Sequence, residues 1–244
     1  MPKFKMILAY DGTAYHGWQL QPGFDTIQAR VEGALSEMAK EPVRLTAAGR
    51  TDSGVHARAQ VAHFSLPRPI PPDGILQGLN SMLPSDIRIR SVEEAGDEFH
   101  ARFDARLKTY RYYLDRSKVS SPFRSRYTLH YPLSLDREAL DEGAAYFMGE
   151  HDFAALRASS CNAKTTVRRC TASFFFDEGE ELVYEITATG FLHHMVRNIV
   201  GTLLDVGRGK RAPSSLASLF DSHSRDEAGP TAPARGLHMV KVTY

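Results

Sequence analysis

Residues 49–57, GRTDSGVHA, separate two apolar stretches, residues 43–48 and 60–66, that have the composition of β-strands. Two glycines in this segment bracket a single acidic side chain, Asp52. Glycine allows backbone conformations that residues with a Cβ resist, so the chain can turn sharply here and come close to a ligand. The pattern predicts two strands joined by a loop that presents one carboxylate.

A cation and an anion lie within reach of each other on this loop, because Arg50 comes two positions before Asp52. Asp, Ser and Gly are also common in ordinary surface turns, where they form local hydrogen bonds. From these residues alone, the segment is either a surface turn or a site at which Asp52 takes part in chemistry.

The elements around the loop follow the order βαββαβ, which is the ferredoxin-like arrangement. Residues 25–40 have apolar side chains at helical intervals, and Asp25 or Thr26 can cap the start of that helix. The other elements predicted for this half are a strand at residues 4–10, a short helix at 73–82 and a strand at 87–92.

The second half of the chain repeats this order without a visible sequence repeat. A further short helix is predicted after Pro213, with Ser214 or Ser215 as its cap. The remaining predicted elements are a strand at residues 109–114, a helix at 136–148, a hairpin of strands at 167–176 and 182–188, a helix at 194–206 and a strand at 237–244. We therefore predict a mixed α+β fold of two ferredoxin-like halves, residues 1–105 and 106–244, whose antiparallel sheets join, with the helices on one side.

The composition is that of a soluble globular protein. The 244 residues are 42% hydrophobic and 24% charged, which is enough to form one large domain or two small ones. The two cysteines, Cys161 and Cys170, do not form a disulfide framework and suit a reducing compartment. Neither a signal-peptide core nor an apolar run long enough to span a bilayer is present. These features predict a cytoplasmic protein without a membrane partner.

The net charge of +1 is uninformative, but its distribution is uneven. Residues 102–126 contain eight Lys or Arg and two Asp, and residues 157–169 contain four basic residues and no acidic one. Acidic residues concentrate at positions 93–98 and 177–185. This segregation either forms a basic surface for a polyanion or folds into mixed surfaces of no special function.

The segment GRTDSGVHA closely resembles the catalytic loop of the tRNA pseudouridine synthase A family. Further blocks resemble that family in the same order along nearly the whole chain: YDGT at 10–13, GWQ at 17–19, Asn80 with Leu83-Pro84, FHARF at 99–103, KTYRY at 108–112, GFLHHMVRNIVG at 190–201, and TAPA with Gly236-Leu237 at 231–237. One departure is Ala57-Arg58-Ala59, where relatives more often have small, glycine-rich sequence.

The resemblance implies an isomerase that converts uridine to pseudouridine at positions 38, 39 and 40 of the tRNA anticodon stem-loop. It also implies a homodimer, an RNA-binding cleft between the two halves, and base flipping of the target nucleotide. Relatives that modify another uridine or another RNA remain an alternative within this class.

The implied reaction breaks the bond from the uracil nitrogen to the ribose, turns the base and rejoins it through carbon 5. It consumes no atoms, so we expect no cofactor, and the sequence contains neither a P-loop nor a GxGxxG fingerprint. The resemblance makes Asp52 the essential residue, acting by covalent attack or by removing a ribose proton to give a glycal. Both routes require an ionised carboxylate.

Arg197 is the candidate partner of Asp52, because relatives hold the catalytic Asp with a basic residue in this block. It lies in a long apolar helical stretch, where a buried cation must be paired with an anion. An adjacent cation would keep the carboxylate ionised. From the residues alone, an arginine that extends to the helix surface is the alternative.

Tyr110 is the candidate contact to the flipped uracil, through its ring, with its hydroxyl reaching the proton on carbon 5. The resemblance of residues 108–112 to the family block selects it from neighbouring tyrosines that could simply pack in a strand. Alternation predicts Tyr110 and Tyr112 on one face of that strand and Tyr113 on the other.

Arg50 is the candidate that extracts or replaces the target base, since chemistry at the glycosidic bond requires the nucleotide to leave the stack. Its alternative role is to neutralise Asp52 or a phosphate. We predict no metal site: adjacent helical residues such as His193 and His194 point about 100° apart, and the other histidines lack zinc-binding spacing.

Two other classes of function remain as alternatives. Ferredoxin-like halves often bind RNA without catalysis, which would make the protein a binding module. A glycoside hydrolase would need a second catalytic carboxylate at a suitable separation, and neither Glu93 nor Asp104 lies in a comparable motif.

Overall fold

The computed structural model describes all 244 residues and has a mixed α+β fold, as predicted. The ten strands are β1 Lys3–Tyr10, β2 Thr46–Ala47, β3 His56–Ser65, β4 Ile87–Ala95, β5 Leu107–Asp115, β6 Leu129–His130, β7 Gly149–Asp152, β8 Val167–Glu178, β9 Glu181–Ala188 and β10 Leu237–Thr243. The five α-helices are α1 Ile27–Ala39, α2 Pro72–Met82, α3 Arg137–Ala145, α4 Met195–Gly207 and α5 Leu219–Ser222, and four short 3-10 helices accompany them. No helix combines the length and the apolar character that crossing a bilayer requires.

The chain divides into two compact units, one of Met1–Arg106 with His238–Tyr244 and one of Leu107–Leu237. The sequence analysis placed the final strand in the second half of the chain. In the structure, β10 pairs in parallel with β3 through His238 opposite His56 and Met239 opposite Ala57. The C-terminal seven residues therefore pack with the N-terminal unit.

The first unit has the strand order β4-β1-β3-β10, and the two-residue β2 also pairs with β3. β1 lies between β3 and β4, antiparallel to both. Its residues alternate between partly exposed and buried, so one face, which includes Phe4, Met6 and Leu8, forms part of the core. Alternation of this kind places one side of each strand against the helices.

Helix α1 shows how local sequence sets an element boundary in this unit. The Thr26 hydroxyl accepts a hydrogen bond from the amide of Ala29 at 3.3 Å, so Thr26 is the cap and the helix begins at Ile27. Asp25 instead pairs with Arg30. The apolar stripe that predicted the helix is buried at Ile27, Val31 and Leu35.

The second unit has the strand order β5-β9-β8-β7, with β6 paired to β5. The predicted hairpin is present as β8 and β9, which pair in antiparallel register. The short strands β6 and β7 were not predicted, because elements of two and four residues carry too little periodicity to detect. The helix predicted after Pro213 is a 3-10 turn, Pro213–Leu216, and its start has no side-chain cap.

Helix α4 is almost completely buried, and a glycine lets a loop pack against it. A Cβ built on Gly201 would lie 1.6 Å from the carbonyl oxygen of Pro230. Gly229 is equally restricted, because its Cβ would lie 2.6 Å from Cα of Thr202. The amide of Gly229 also donates to the Thr202 hydroxyl at 2.8 Å. Backbone therefore packs directly on backbone at this point of the second unit.

We predict that Gly201→Ala lowers the free energy of unfolding by on the order of 1–3 kcal/mol, because the new methyl overlaps the Pro230 carbonyl. Gly33→Ala is the matched control, since Gly33 is exposed within α1 and its Cβ would meet nothing within 4 Å. That change should raise the free energy of unfolding by about 0.5–1 kcal/mol. Denaturant unfolding of both variants tests this, and similar effects at the two glycines would contradict it.

Candidate active site

The loop that carries Asp52 connects β2 to β3 in the first unit. Asp52 is half-buried and Arg50 is exposed, so both side chains are accessible from solvent. The amide of Val55 donates to the carbonyl of Asp52 at 3.1 Å, and Gly54 adopts a positive φ of 77°. The carboxylate therefore lies on a tight turn, and glycine makes that turn possible.

The backbone of this loop is held by the segment that follows β1. The amide of Trp18 donates to the carbonyl of Thr51 at 3.0 Å, and the amide of Gly54 donates to the carbonyl of Tyr15 at 3.3 Å. The Ser53 hydroxyl reaches the same Tyr15 carbonyl at 3.2 Å. Hydrogen bonds thus fix the residues on both sides of Asp52.

Two glycines permit this close approach. A Cβ built on Gly12 would lie 2.0 Å from the carbonyl oxygen of Val55. A Cβ on Gly17 would lie 2.6 Å from the carbonyl oxygen of Thr51 and 3.0 Å from the carbonyl carbon of Asp52, and Gly17 has a φ of +82°. Any side chain at either position would push the Asp52 turn away from its place.

A buried polar network supports the start of the loop from below. The Tyr10 hydroxyl and the Thr51 hydroxyl are 2.8 Å apart, and the carboxamide of Gln60 donates to the carbonyl of Gly49 at 2.8 Å. The same carboxamide nitrogen lies 3.5 Å from the Tyr10 hydroxyl. Burial raises the pKa of Tyr10 to about 12, so its hydroxyl stays protonated at neutral pH.

His56, at the end of the loop, connects the loop to the segment after β1 and to β10. Its Nδ1 accepts a hydrogen bond from the amide of Gly12 at 3.1 Å. Its ring also stacks on the ring of His238, with the centroids 4.6 Å apart. The C-terminal strand therefore contributes to the position of the Asp52 loop.

Tyr110 lies in β5 of the second unit, opposite Ile186 of β9. Its side chain is only 6% exposed, and its ring meets the edge of Phe191 with centroids 4.9 Å apart. Tyr112 and Tyr113 are also buried, so both faces of this strand are covered. Tyr112 donates its hydroxyl to the carbonyl of Pro233 at 2.8 Å.

Arg197 lies in the first turn of α4 and is half-buried. Its Nε donates to the carbonyl of Ala232 at 2.8 Å, and the amide of Ala232 donates back to the carbonyl of Arg197 at 3.0 Å. The neighbouring Asn198 is completely buried and accepts a hydrogen bond from the Thr231 hydroxyl at 2.6 Å. The side chain of Arg197 is therefore anchored on a backbone segment rather than extended along the helix surface.

The argument used against a shared ion at His193 and His194 does not hold. Helix α4 begins at Met195, and His194 precedes it with a φ of 62°. The two rings consequently come together, with centroids 4.1 Å apart, instead of pointing in directions set by a helix. The absence of a metal site therefore stays a prediction for these two residues.

The comparisons with known proteins agree with one another. The family model described as tRNA pseudouridine synthase matches residues 6–104 and 144–244. The chain is 47% identical to tRNA pseudouridine synthase A of Geobacter sulfurreducens and 46% identical to that of Pelobacter propionicus, and both matches cover 100% of each chain. It is also 44% identical to the tRNA pseudouridine synthase A of Brevibacillus brevis, again over the full length of both chains.

The chain belongs to the tRNA pseudouridine synthase family. Members of this family are isomerases, so the resemblance recognised in the sequence is confirmed. Asp52, Arg50 and Arg197 lie within the residues that the family model matches, whereas Tyr110 lies in the unmatched stretch at 105–143. That stretch is covered only by the full-length matches to individual relatives.

The structure adds supporting residues that the sequence analysis did not assign. Tyr10, Gly12 and Gly17 were quoted only as part of the family signature, and they hold the Asp52 loop of this synthase family member. For Gly12 and Gly17, the spacing of the glycines in the sequence was the available signal. Gln60 gave no signal, because a single polar residue in an apolar strand does not reveal whether it is buried and paired.

We predict that Gly17→Ala reduces the initial rate of pseudouridine formation by about 100-fold, the cost of displacing a catalytic group by roughly 1 Å. Gly23→Ala is the matched control: Gly23 has a similar φ of +80°, but its Cβ would meet nothing within 4 Å. The control variant should be affected only by the backbone strain of an alanine at positive φ, and its rate should stay within about twofold of wild type. Equal losses in the two variants, measured on folded protein, would show that the contact with the Asp52 turn is unimportant.

Proposed function

We propose that this protein converts uridine to pseudouridine at positions 38, 39 and 40 of the tRNA anticodon stem-loop, with Asp52 as the essential residue and no cofactor. The observation that carries the proposal is the fixed turn at Asp52, where backbone hydrogen bonds and two glycine contacts position one accessible carboxylate. Such preorganisation is what a reaction at a single ribose carbon requires.

Asp52 acts at the ribose of the target nucleotide in this proposal. The bond from C1′ of the ribose to N1 of uracil breaks, the base turns, and C1′ bonds to C5. The C5 proton leaves and N1 gains a proton, so the atoms balance without an oxidant or a reductant. Asp52 either adds covalently or removes a ribose proton to give a glycal, and both routes need its ionised form.

Arg197 pairs with Asp52 in the proposed complex and orients the carboxylate. The support is its anchored position: a hydrogen bond to the Ala232 carbonyl restricts the guanidinium while its other nitrogens remain able to donate. A guanidinium held in this way loses little conformational entropy when it pairs with a carboxylate.

Tyr110 provides the surface for the detached uracil, and its hydroxyl removes the C5 proton. Its near-complete burial and its contact with Phe191 give the ring a fixed orientation. Arg50, exposed on the same loop as Asp52, fills the space that the flipped nucleotide leaves.

We further propose that the enzyme works in the cytoplasm as a homodimer that binds tRNA through its basic segments. In residues 102–126, six basic side chains are exposed: Arg102, Arg106, Arg116, Lys118, Arg124 and Arg126. A non-catalytic RNA-binding module is the competing function, and assays of product formation separate the two.

We predict that Asp52→Asn abolishes pseudouridine formation in single-turnover assays while tRNA affinity stays within about twofold. The amide keeps the size of the side chain but removes the nucleophile and base. Arg197→Met should slow the reaction without abolishing it, because the carboxylate remains. Asp97→Asn, at an exposed position, is the control and should react at the wild-type rate. Wild-type turnover by folded Asp52→Asn would refute the mechanism.

We also predict that tRNA affinity falls steeply with salt, because phosphate contacts supply most of the binding energy. A plot of log affinity against log salt concentration should have a slope of about −3 or steeper, which corresponds to roughly four phosphate contacts. The control adds an uncharged osmolyte to the low-salt buffer until it matches the osmolality of the high-salt samples, and it should leave the affinity at its low-salt value. A flat salt plot would remove the role of the basic segments.

A further inference from the structure

The loop that joins β5 to β6, residues 116–128, exposes large apolar side chains. Phe123 is 88% exposed and Val119 is 82% exposed, and Tyr127 in the same loop is also exposed. Exposed apolar patches of several side chains commonly mark a binding site. We refer to residues 116–128 as the β5–β6 loop.

The backbone of the β5–β6 loop is held in place on both sides of Phe123. The amides of Arg124 and Ser125 donate to the carbonyl of Ser121 at 3.1 and 3.0 Å. The Thr128 hydroxyl donates to the carbonyl of Arg124 at 3.1 Å, and the guanidinium of Arg124 forms two hydrogen bonds with Glu181. Phe123 is thus presented to solvent on a fixed turn.

The start of the loop is fixed as well. The amide of Ser117 donates to the buried carboxylate of Asp115 at 3.0 Å, and its hydroxyl lies 2.8 Å from the carbonyl of Val119. The Nε2 of His130 lies 2.8 Å from the carbonyl of Ser117. This anchoring lowers the entropy cost of binding a ligand at the exposed side chains.

The charge of the loop favours a polyanion as its ligand. Residues 116–128 contain four basic side chains and no acidic one. Glu181 neutralises Arg124, and the other three basic side chains of the loop, Arg116, Lys118 and Arg126, are exposed. The nearby acidic turn between β8 and β9 is largely compensated by other ion pairs: Asp177 with Arg137, and Glu178 with Arg111.

A second exposed aromatic, Phe103 of the first unit, provides a contrast. It is 75% exposed and stacks on His100, and its neighbours carry both signs of charge: the Arg102 guanidinium lies 5.8 Å from its ring centroid, and Asp104 follows it in sequence. The electrostatic argument is therefore stronger for the β5–β6 loop, which contains no acidic residue, than for the mixed charges around Phe103.

We propose that the β5–β6 loop is an RNA-binding site at which Phe123 stacks on an unpaired nucleobase and Arg116 and Lys118 contact the flanking phosphates. Stacking on an aromatic ring combined with basic contacts to the backbone is the usual mode of binding single-stranded nucleic acid. The loop lies in residues 105–143, outside the match to the family model. The proposal rests on the proposed function in taking tRNA as the RNA.

The first test measures the binding of a full-length tRNA transcript to Phe123→Ala. We expect the affinity to fall at least fivefold, the equivalent of about 1 kcal/mol, the lower end of the value for one stacked base. Phe174→Ala is the matched control, because Phe174 is an exposed phenylalanine of the same unit at 43% exposure and should bind within twofold of wild type. Equal losses at the two positions would overturn the proposal.

Two further substitutions separate stacking from general hydrophobicity. Phe123→Trp should keep the affinity within twofold of wild type, whereas Phe123→Leu should lose as much as Phe123→Ala. Because Phe123 is exposed, all three variants should retain the wild-type melting temperature. Full affinity in Phe123→Leu would overturn the assignment of a stacked base.

The double variant Arg116→Gln with Lys118→Gln tests the phosphate contacts. The slope of log affinity against log salt should become shallower by about 1.4–1.8, the contribution of two phosphate contacts. An unchanged slope would overturn this part of the proposal.

Light scattering of Phe123→Ala tests the competing occupant of the loop, which is a second copy of this chain. A drop in molar mass relative to wild type would overturn the RNA assignment.

The outcome is separable from that of the proposed function. Pseudouridine formation by the wild-type protein tests the reaction, while the affinity series tests the loop. Wild-type turnover with unchanged affinity in Phe123→Ala would reject the loop alone. Absence of turnover at the proposed tRNA positions, together with weaker binding by Phe123→Ala, would reject the proposed reaction and keep the loop as an RNA-binding site.

Discussion

The first unit depends on a direct contact between two backbones, the segment after β1 and the Asp52 loop. Gly12 and Gly17 leave no room for a side chain between these segments, and the carbonyls of Val55 and Thr51 occupy the space a Cβ would need. A hydrogen bond from the amide of Trp18 to the carbonyl of Thr51 joins the two segments. A carboxylate on such a turn can move little, so its position is set before any substrate binds.

The second unit uses the same device to position Arg197. Gly201 and Gly229 allow the segment around Pro230 to lie on helix α4, and Ala232 then exchanges two hydrogen bonds with Arg197. Both candidate charged residues are therefore placed by backbone contacts at glycine pairs rather than by side-chain packing. Side chains in a core can repack after a substitution, but a backbone carbonyl that meets a new methyl can move only if the chain moves with it. At Gly17 the carbonyl is that of Thr51, which would also lose its hydrogen bond from Trp18.

The sequence was informative where one residue type had one structural meaning. The apolar stripe of α1 and its cap at Thr26 were predicted because helical periodicity and capping are local properties. The two glycines that bracket Asp52 were equally informative, because they predicted a sharp turn. The cap proposed at Ser214 or Ser215 was wrong, since Pro213 starts the turn there and no side chain accepts a hydrogen bond from it.

Properties that arise only from tertiary contacts could not be predicted from the local sequence. Gln60 is completely buried because Gly49 and Tyr10 provide partners for its carboxamide, and neither partner is near it in sequence. His193 and His194 were judged as helical neighbours, and the left-handed conformation of His194 instead brought their rings together. A residue with a positive φ reverses the direction of its side chain relative to its neighbours, which no periodic pattern anticipates.

In the β5–β6 loop, unlike at Asp52 and Arg197, a fixed backbone carries side chains that are not buried. Around Asp52 and Arg197, fixed backbone accompanies buried packing, so stability and function require the same contacts. In the β5–β6 loop the backbone is fixed, yet Phe123 and Val119 bury almost no surface. An exposed phenylalanine contributes little to folding, and the hydrogen bonds that hold its turn restrict the chain without covering apolar area. Folding alone therefore gives no reason for an aromatic ring at position 123, whereas a ligand with a flat apolar face does.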